Sequence, residues 1–260
     1  MRASLPAIGL MVLSLSSCVA PPPEAGAPSN LHKDVADLKQ QVADLRQDID
    51  RLNKTVAAMG QGPKEAKKAP TVTSVEMDDD PVMGKADAPV AIVEFSDYQC
   101  PYCNVFHSKV LPLLKKAYID TGEVKFVYRD LALDFHPHSE GAAIAANCAG
   151  MQHKYWPMGD ALFAHQRELG EPLYLKLAAD LKLDVAAFKS CLADPKQKAE
   201  VDADRAYGNQ IGVEGTPTLY IGRVQGNRLV DVRQIVGAQP PAVFASAIES
   251  FLAQARAQEK

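Results

Sequence analysis

The apolar run Val90-Ala91-Ile92-Val93-Glu94-Phe95 is followed almost at once by Cys100-Pro101-Tyr102-Cys103, and few architectures accommodate both. A short run of that kind reads as a strand buried on both faces of a mixed sheet. The cysteine motif then opens a helix predicted over residues 100–118, with Pro112 expected to kink it. In that setting the first sulfur sits at a helix N-terminus. Unpaired backbone N–H groups and the positive end of the helix dipole favour its thiolate there. Pro101 suits a first helical turn, where its missing N–H costs no helical bond. A three-residue spacing lets Cys103 reach a mixed disulfide formed at Cys100. Cys100 is therefore the expected attacking sulfur and Cys103 the buried, resolving one.

A lone CxxC is also half of a zinc site. No second CxxC and no nearby Cys-His pair completes a tetrahedral ligand set, so no metal is expected. His107, one turn past the pair, reads as a surface or packing residue. Glu94 interrupts the apolar strand. Buried, such a carboxylate would exchange a proton with Cys103; the plainer alternative is a glutamate at a strand edge.

The rest of the C-terminal region fills in around this unit. Residues 72–77 read as a first edge strand and residues 124–128 as another strand. A helical block spans residues 139–208. Two strands follow, residues 218–223 and 229–235, joined by Gln225-Gly226-Asn227. Pro240-Pro241 opens a last helix to about residue 255. Strand, helix, strand, helical block, hairpin and helix is the order of an α/β thioredoxin-like fold with a helical insertion, placed at residues 72–256. Within Val213-Glu214-Gly215-Thr216-Pro217-Thr218, a cis bond before Pro217 would leave backbone groups free to pair with an extended substrate beside Cys100. Cys148 and Cys191 fall in separate helices of the insertion, where a structural disulfide is one expectation and free thiols another. Trp156, Phe163 and Phe188 read as insertion core. His136 and His138 read as capping or loop residues.

The N-terminal region is built on another plan. Residues 1–17 form a positively charged start and a short apolar stretch, ending in Leu15-Ser16-Ser17-Cys18. That ending has the form of a lipoprotein processing site, with Cys18 as the lipidated residue. Val19 in the next position leans towards an outer-membrane address in a Gram-negative cell. Pro-rich residues 18–30 serve as a spacer and residues 60–71 as a flexible linker. Between them Leu31, Val35, Leu38, Val42, Leu45, Ile49, Leu52, Val56 and Met59 alternate steps of four and three. That is the heptad of a coiled-coil helix over residues 31–59, and β-branched residues alternating with Leu favour a parallel dimer, with a trimer open. The 28 basic residues against 32 acidic ones leave a formal charge of -4 and no basic footprint for nucleic acid.

Three stretches together resemble the DsbA-like branch of the thioredoxin superfamily: residues 95–103 (FSDYQCPYC), residues 155–158 (YWPM) and residues 212–218 (GVEGTPT). The resemblance covers residues 80–256. It implies a redox-active Cys100–Cys103 disulfide as the reacting group with no other cofactor, a cis-Pro217 loop and the proton role of Glu94. Substrate contact then falls to Pro101, Tyr102, Thr216 and Pro217. Tyr102 and Thr216 are more similar to the isomerases DsbC and DsbG than to the oxidases. The expected activity is thiol–disulfide exchange on exported proteins, forming or rearranging disulfides with a separate redox partner. The competing expectation is a client-binding scaffold lipoprotein without catalysis.

Overall fold

The computed structural model describes residues 29–58 and 72–258. The chain divides into two compact units, Met1–Lys67 and Lys68–Lys260. In the first, α1 (Ser29–Ala58) is one unbroken helix. Its seam residues Val35, Leu38, Val42, Leu45 and Ile49 are all exposed. Signal residues 1–17, Cys18, the linker at 60–71 and Met59 lie outside the described residues. Among the described residues no helix is long and apolar enough to cross a membrane.

The second unit is built on a six-stranded sheet in the order β1-β6-β5-β3-β4-β2. Its strands are β1 (Ser74–Glu76), β2 (Val82–Met83), β3 (Val90–Ser96), β4 (Val124–Asp130), β5 (Thr218–Gln225) and β6 (Arg228–Val236). Only the β3–β4 pairing is parallel among the five. β3 lies inside the sheet, and every one of its residues is buried. Successive strand residues face opposite sides. Val90 and Ile92 accordingly join one core cluster, and Ala91, Val93 and Phe95 the other. By the same parity Glu94 belongs on the Val90–Ile92 face, which is the face that also holds Cys103 and Phe106.

The helix after β3 begins as α2 (Pro101–Val105) and continues through α3 (Leu111–Leu114). The interruption expected at Pro112 takes another form. Wide π-type turns at Phe106–Val110 and Lys115–Ile119 flank α3. The N–H of Leu111 reaches back to Phe106 O, five residues away. A proline cannot donate to the preceding turn, and the widened turn upstream absorbs that missing bond.

The insertion comprises α4 (Ser139–Gly150), α5 (Tyr155–Ala164), α6 (Glu171–Asp180), α7 (Val185–Leu192) and α8 (Pro195–Gln210). Asp184 starts α7 by accepting from the N–H groups of Ala186 and Ala187. Asp194 starts α8 in the same way through Lys196, with Pro195 in the first turn. Phe188 is fully buried among these helices. Trp156 instead packs on Phe126 of β4 and donates to Val82 O, so it also secures the two-residue β2 that pattern reading passes over. The last helix is α9 (Pro241–Gln258).

One buried charge binds the insertion to the sheet. Arg129 of β4 donates from Nε and Nη2 to Asp204 Oδ1 of α8, at 2.9 and 2.6 Å. Asp80 Oδ2 lies 2.9 Å from its Nε, and Tyr207 of α8 stacks 4.4 Å beneath the guanidinium. Burial, with the Asp204 charge beside it, pushes the Asp80 carboxyl up to about 10.

Candidate redox site

Cys100 stands at the junction where β3 ends and α2 begins. Its backbone is extended (φ −73°, ψ 123°), and Asn104 N–H donates to its carbonyl as a first helical bond. The approach is held by Asp97, a fully buried carboxylate. Asp97 Oδ1 accepts from Gln99 N–H at 2.7 Å, and Oδ2 accepts from Leu133 N–H at 3.0 Å. Gln99 Oε1 in turn accepts from His138 N–H.

The two sulfurs are unbonded and differ sharply. Cys100 is 5% exposed, and its thiol donates to Thr216 O at 3.4 Å. The hydrogen bond from the Cys103 thiol is the strongest of the influences that bring Cys100 down to about 6. Burial of the sulfur opposes it, while Thr216 and the N–H groups of Cys103 and Tyr102 assist. Thr216 Oγ1 is buried with no other hydrogen-bond partner, which leaves its proton free for the sulfur. Cys103 is fully buried. Desolvation first, then the Cys100 hydrogen bond and the negative charge of Glu94, push its thiol well above the ordinary range. A reactive thiolate thus lies beside a protonated reserve thiol.

Thr216-Pro217 is a cis bond, as the sequence reading expected, and Thr218 Oγ1 closes its loop onto Gly215 O at 2.7 Å. Tyr102 is 68% exposed next to the sulfurs. Cys148 and Cys191, by contrast, are joined in a disulfide between α4 and α7, with Cα atoms 5.7 Å apart.

Glu94 is not at a strand edge. It is fully buried on a central strand, its Oε2 lies 2.9 Å from His107 Nε2, and its Oε1 has no partner among the described residues. His107 is therefore not a surface residue: its side chain is 7% exposed, and its ring stacks on Phe163 at 4.1 Å. The signal was present, since His107 lies four residues past Cys103 and four residues return a helix to the same face. Phe163 also packs on Tyr98, so it reaches from the insertion to the redox helix. His136 lies in the loop before α4, as expected, and there its Nδ1 is 2.8 Å from Asp97 Oδ2. Gln166 has no local signal at all. Its Nε2 donates to the carbonyls of both Tyr98 and Cys100, at 2.8 and 2.9 Å, and so clamps the start of the motif.

A two-thiol helix start facing a proline loop, on this sheet order, defines a thioredoxin-type dithiol protein. The thioredoxin family pattern matches residues 76–237. Disulfide bond formation protein D of Bacillus subtilis is 32% identical over 152 residues, covering 54% of this chain and 67% of that protein. The Na(+)/H(+) antiporter NhaA 3 of Salinispora tropica is 37% identical over 148 residues, which is 56% of this chain. The chain spans only 22% of that antiporter's length. In fold, the crystal structure of alpha-DsbA1 from Wolbachia pipientis superposes with a TM-score of 0.62 at 24% identity, covering 70% of this chain and 96% of that one. The chain belongs to the thioredoxin family and is DsbA-like in fold.

Proposed function

We propose that this chain exchanges disulfides with exported, cysteine-bearing proteins, through a mixed disulfide at Cys100 that Cys103 makes or resolves. The observation that carries this reading is the contrast between two thiols three residues apart, one held near pH 6 and the other held protonated. In the oxidising direction a client thiolate attacks Cys100 Sγ of the active-site disulfide. The Cys100–Cys103 bond breaks, and Cys103 leaves and takes up a proton. The client's second thiolate then attacks the client sulfur of the mixed disulfide, and Cys100 departs as its stable thiolate. Two electrons pass from client to enzyme, and an exported dithiol–disulfide partner removes them. In the reverse direction Cys100 opens a client disulfide and Cys103 closes on Cys100. The exposed Tyr102, Pro101 and the Thr216–Pro217 backbone frame the place where the client chain lies.

The N-terminal unit supports delivery of this chemistry at a surface. Lipid on Cys18 would hold the chain to a membrane, with the periplasmic face of the outer membrane favoured in a Gram-negative cell. A second copy would cover the exposed seam of α1. In a parallel pair Asp34 of one helix faces Lys39 of its twin. An antiparallel pair would set Lys39 and Arg46 against their own kind. Parallel chains are also what a shared N-terminal anchor dictates.

Replacing Cys103 with Ala and recovering the protein from cells under acid quench tests the reading. The expected result is a set of reducible adducts between Cys100 and exported proteins, absent when Cys100 is also replaced. Exchange activity that survives Cys100→Ala would overturn this reading. The direction follows from cells that hold the unaltered pair, quenched in the same way: a mostly oxidised pair marks a donor of disulfides, a mostly reduced pair an isomerase or reductase.

A further inference from the structure

Every exchange cycle moves one proton on or off Cys103, yet Cys103 and Glu94 are both sealed from water. The step therefore needs a route out. Glu94 Oε2 lies 2.9 Å from His107 Nε2, while Oε1 stays unpartnered in the interior. By strand parity Glu94 faces the core cluster that also holds Cys103, and its charge raises that thiol. On its other side the imidazole is walled by aromatic rings. Phe163 stacks on it at 4.1 Å, Tyr128 of β4 stands 5.7 Å away, and Phe106 and Phe126 complete the wall. One further titratable group faces it. Asp160, exposed on α5 and one turn before Phe163, is raised by burial and lowered by the His107 charge.

We propose that His107 is a positioning residue for exchange, relaying the Cys103 proton between buried Glu94 and the protein surface beside Asp160. The proposal rests on the exchange reading above. Imidazole suits the task because it can accept a proton on one ring nitrogen while releasing one from the other. With one mobile proton, the His107–Glu94 pair is neutral overall, either as imidazolium with carboxylate or as imidazole with carboxylic acid. Passing that proton to a departing Cys103 thiolate leaves the pair with one negative charge, and solvent at Asp160 restores it. When Cys103 attacks a mixed disulfide the same proton runs outward. No bond to carbon or sulfur forms at His107.

The two sulfurs can be read separately with a single reagent. Reduced full-length protein mixed with an aromatic disulfide releases a first coloured thiolate when Cys100 attacks, and a second when Cys103 closes the ring. His107→Gln and His107→Phe are expected to leave the first phase within about twofold and to slow the second about tenfold at pH 7. Gln can still donate to Glu94 but cannot titrate, so a merely structural role predicts a wild-type second phase in His107→Gln. That result overturns the relay. Glu94→Gln is expected to slow the second phase to the same degree, and Glu94→Gln/His107→Gln no further. Slowing that multiplies in the double variant shows two independent effects and also overturns it. Absence of any second phase in the wild type would instead remove the exchange reading itself.

Discussion

The chain carries two cysteine pairs, and the fold treats them in opposite ways. Cys148 and Cys191, 43 residues apart, come from two packed helices of the insertion and are bonded. Neither lies at a helix N-terminus: Cys148 is near the end of α4 and Cys191 near the end of α7. Cys100 and Cys103 are neighbours on one turn, unbonded, and embedded in groups that separate their acidities. Closing a long loop restricts the unfolded chain and so stabilises the fold. Closing a three-residue loop restricts almost nothing, so its free energy is available for exchange. What distinguishes the pairs is loop length and electrostatic setting, not the sulfur chemistry.

The comparison can be broken by exchanging the roles. Cys100→Ala should reduce catalysed reduction of a protein disulfide by at least ~10³-fold, whereas Cys148→Ala/Cys191→Ala should stay within about threefold. Comparable losses in both would erase the distinction. Stability should respond in the reverse order. In denaturant unfolding, Cys148→Ala/Cys191→Ala should lose about 4 kcal/mol, and a loss under 1 kcal/mol would mean the insertion is held by packing alone.

Acidity gives a subtler test. The Cys100 thiol is depressed in the folded, reduced protein, so it favours that form in full only above the unfolded thiol value, and the benefit disappears as pH falls through about 6. Cys103 is raised, so it subtracts stability once pH passes the unfolded thiol value, about 8.5. The melting temperature of the reduced protein relative to the oxidised one should rise from pH 6 and crest near ~8.5. A flat difference across that range would deny the asymmetry. The smallest effect is expected from Thr216→Val. It should raise the Cys100 thiol and slow attack about twofold at pH 6, read from the first phase of disulfide cleavage.

Much of this site was legible because it is local. The apolar run, the helix start and the proline loop each carry their signal within a few residues, and the strand parity of Glu94 follows from counting. The supporting shell is not local. Gln166 reaches Cys100 across 66 residues and Arg129 meets Asp204 across 75. Nothing in either segment announces a partner, because a buried polar side chain is specified by what the fold brings to it. His107 was the residue a closer reading could have caught, through its helical phase with Cys103. The two-residue β2 and the widened turns around Pro112 fall below the length at which periodicity speaks. The helix of the N-terminal unit was legible from its heptads alone, because a long exposed helix has no other source of pattern.

The most direct test of the central claim is alkylation of the reduced Cys148→Ala/Cys191→Ala protein across pH, with each modified sulfur located by mass spectrometry. The account predicts that of the two active-site sulfurs only Cys100 is modified, with a rate that rises through an inflection near pH 6. Modification of Cys103 at a similar rate, or an inflection near the ordinary thiol value of ~8.5, would contradict it.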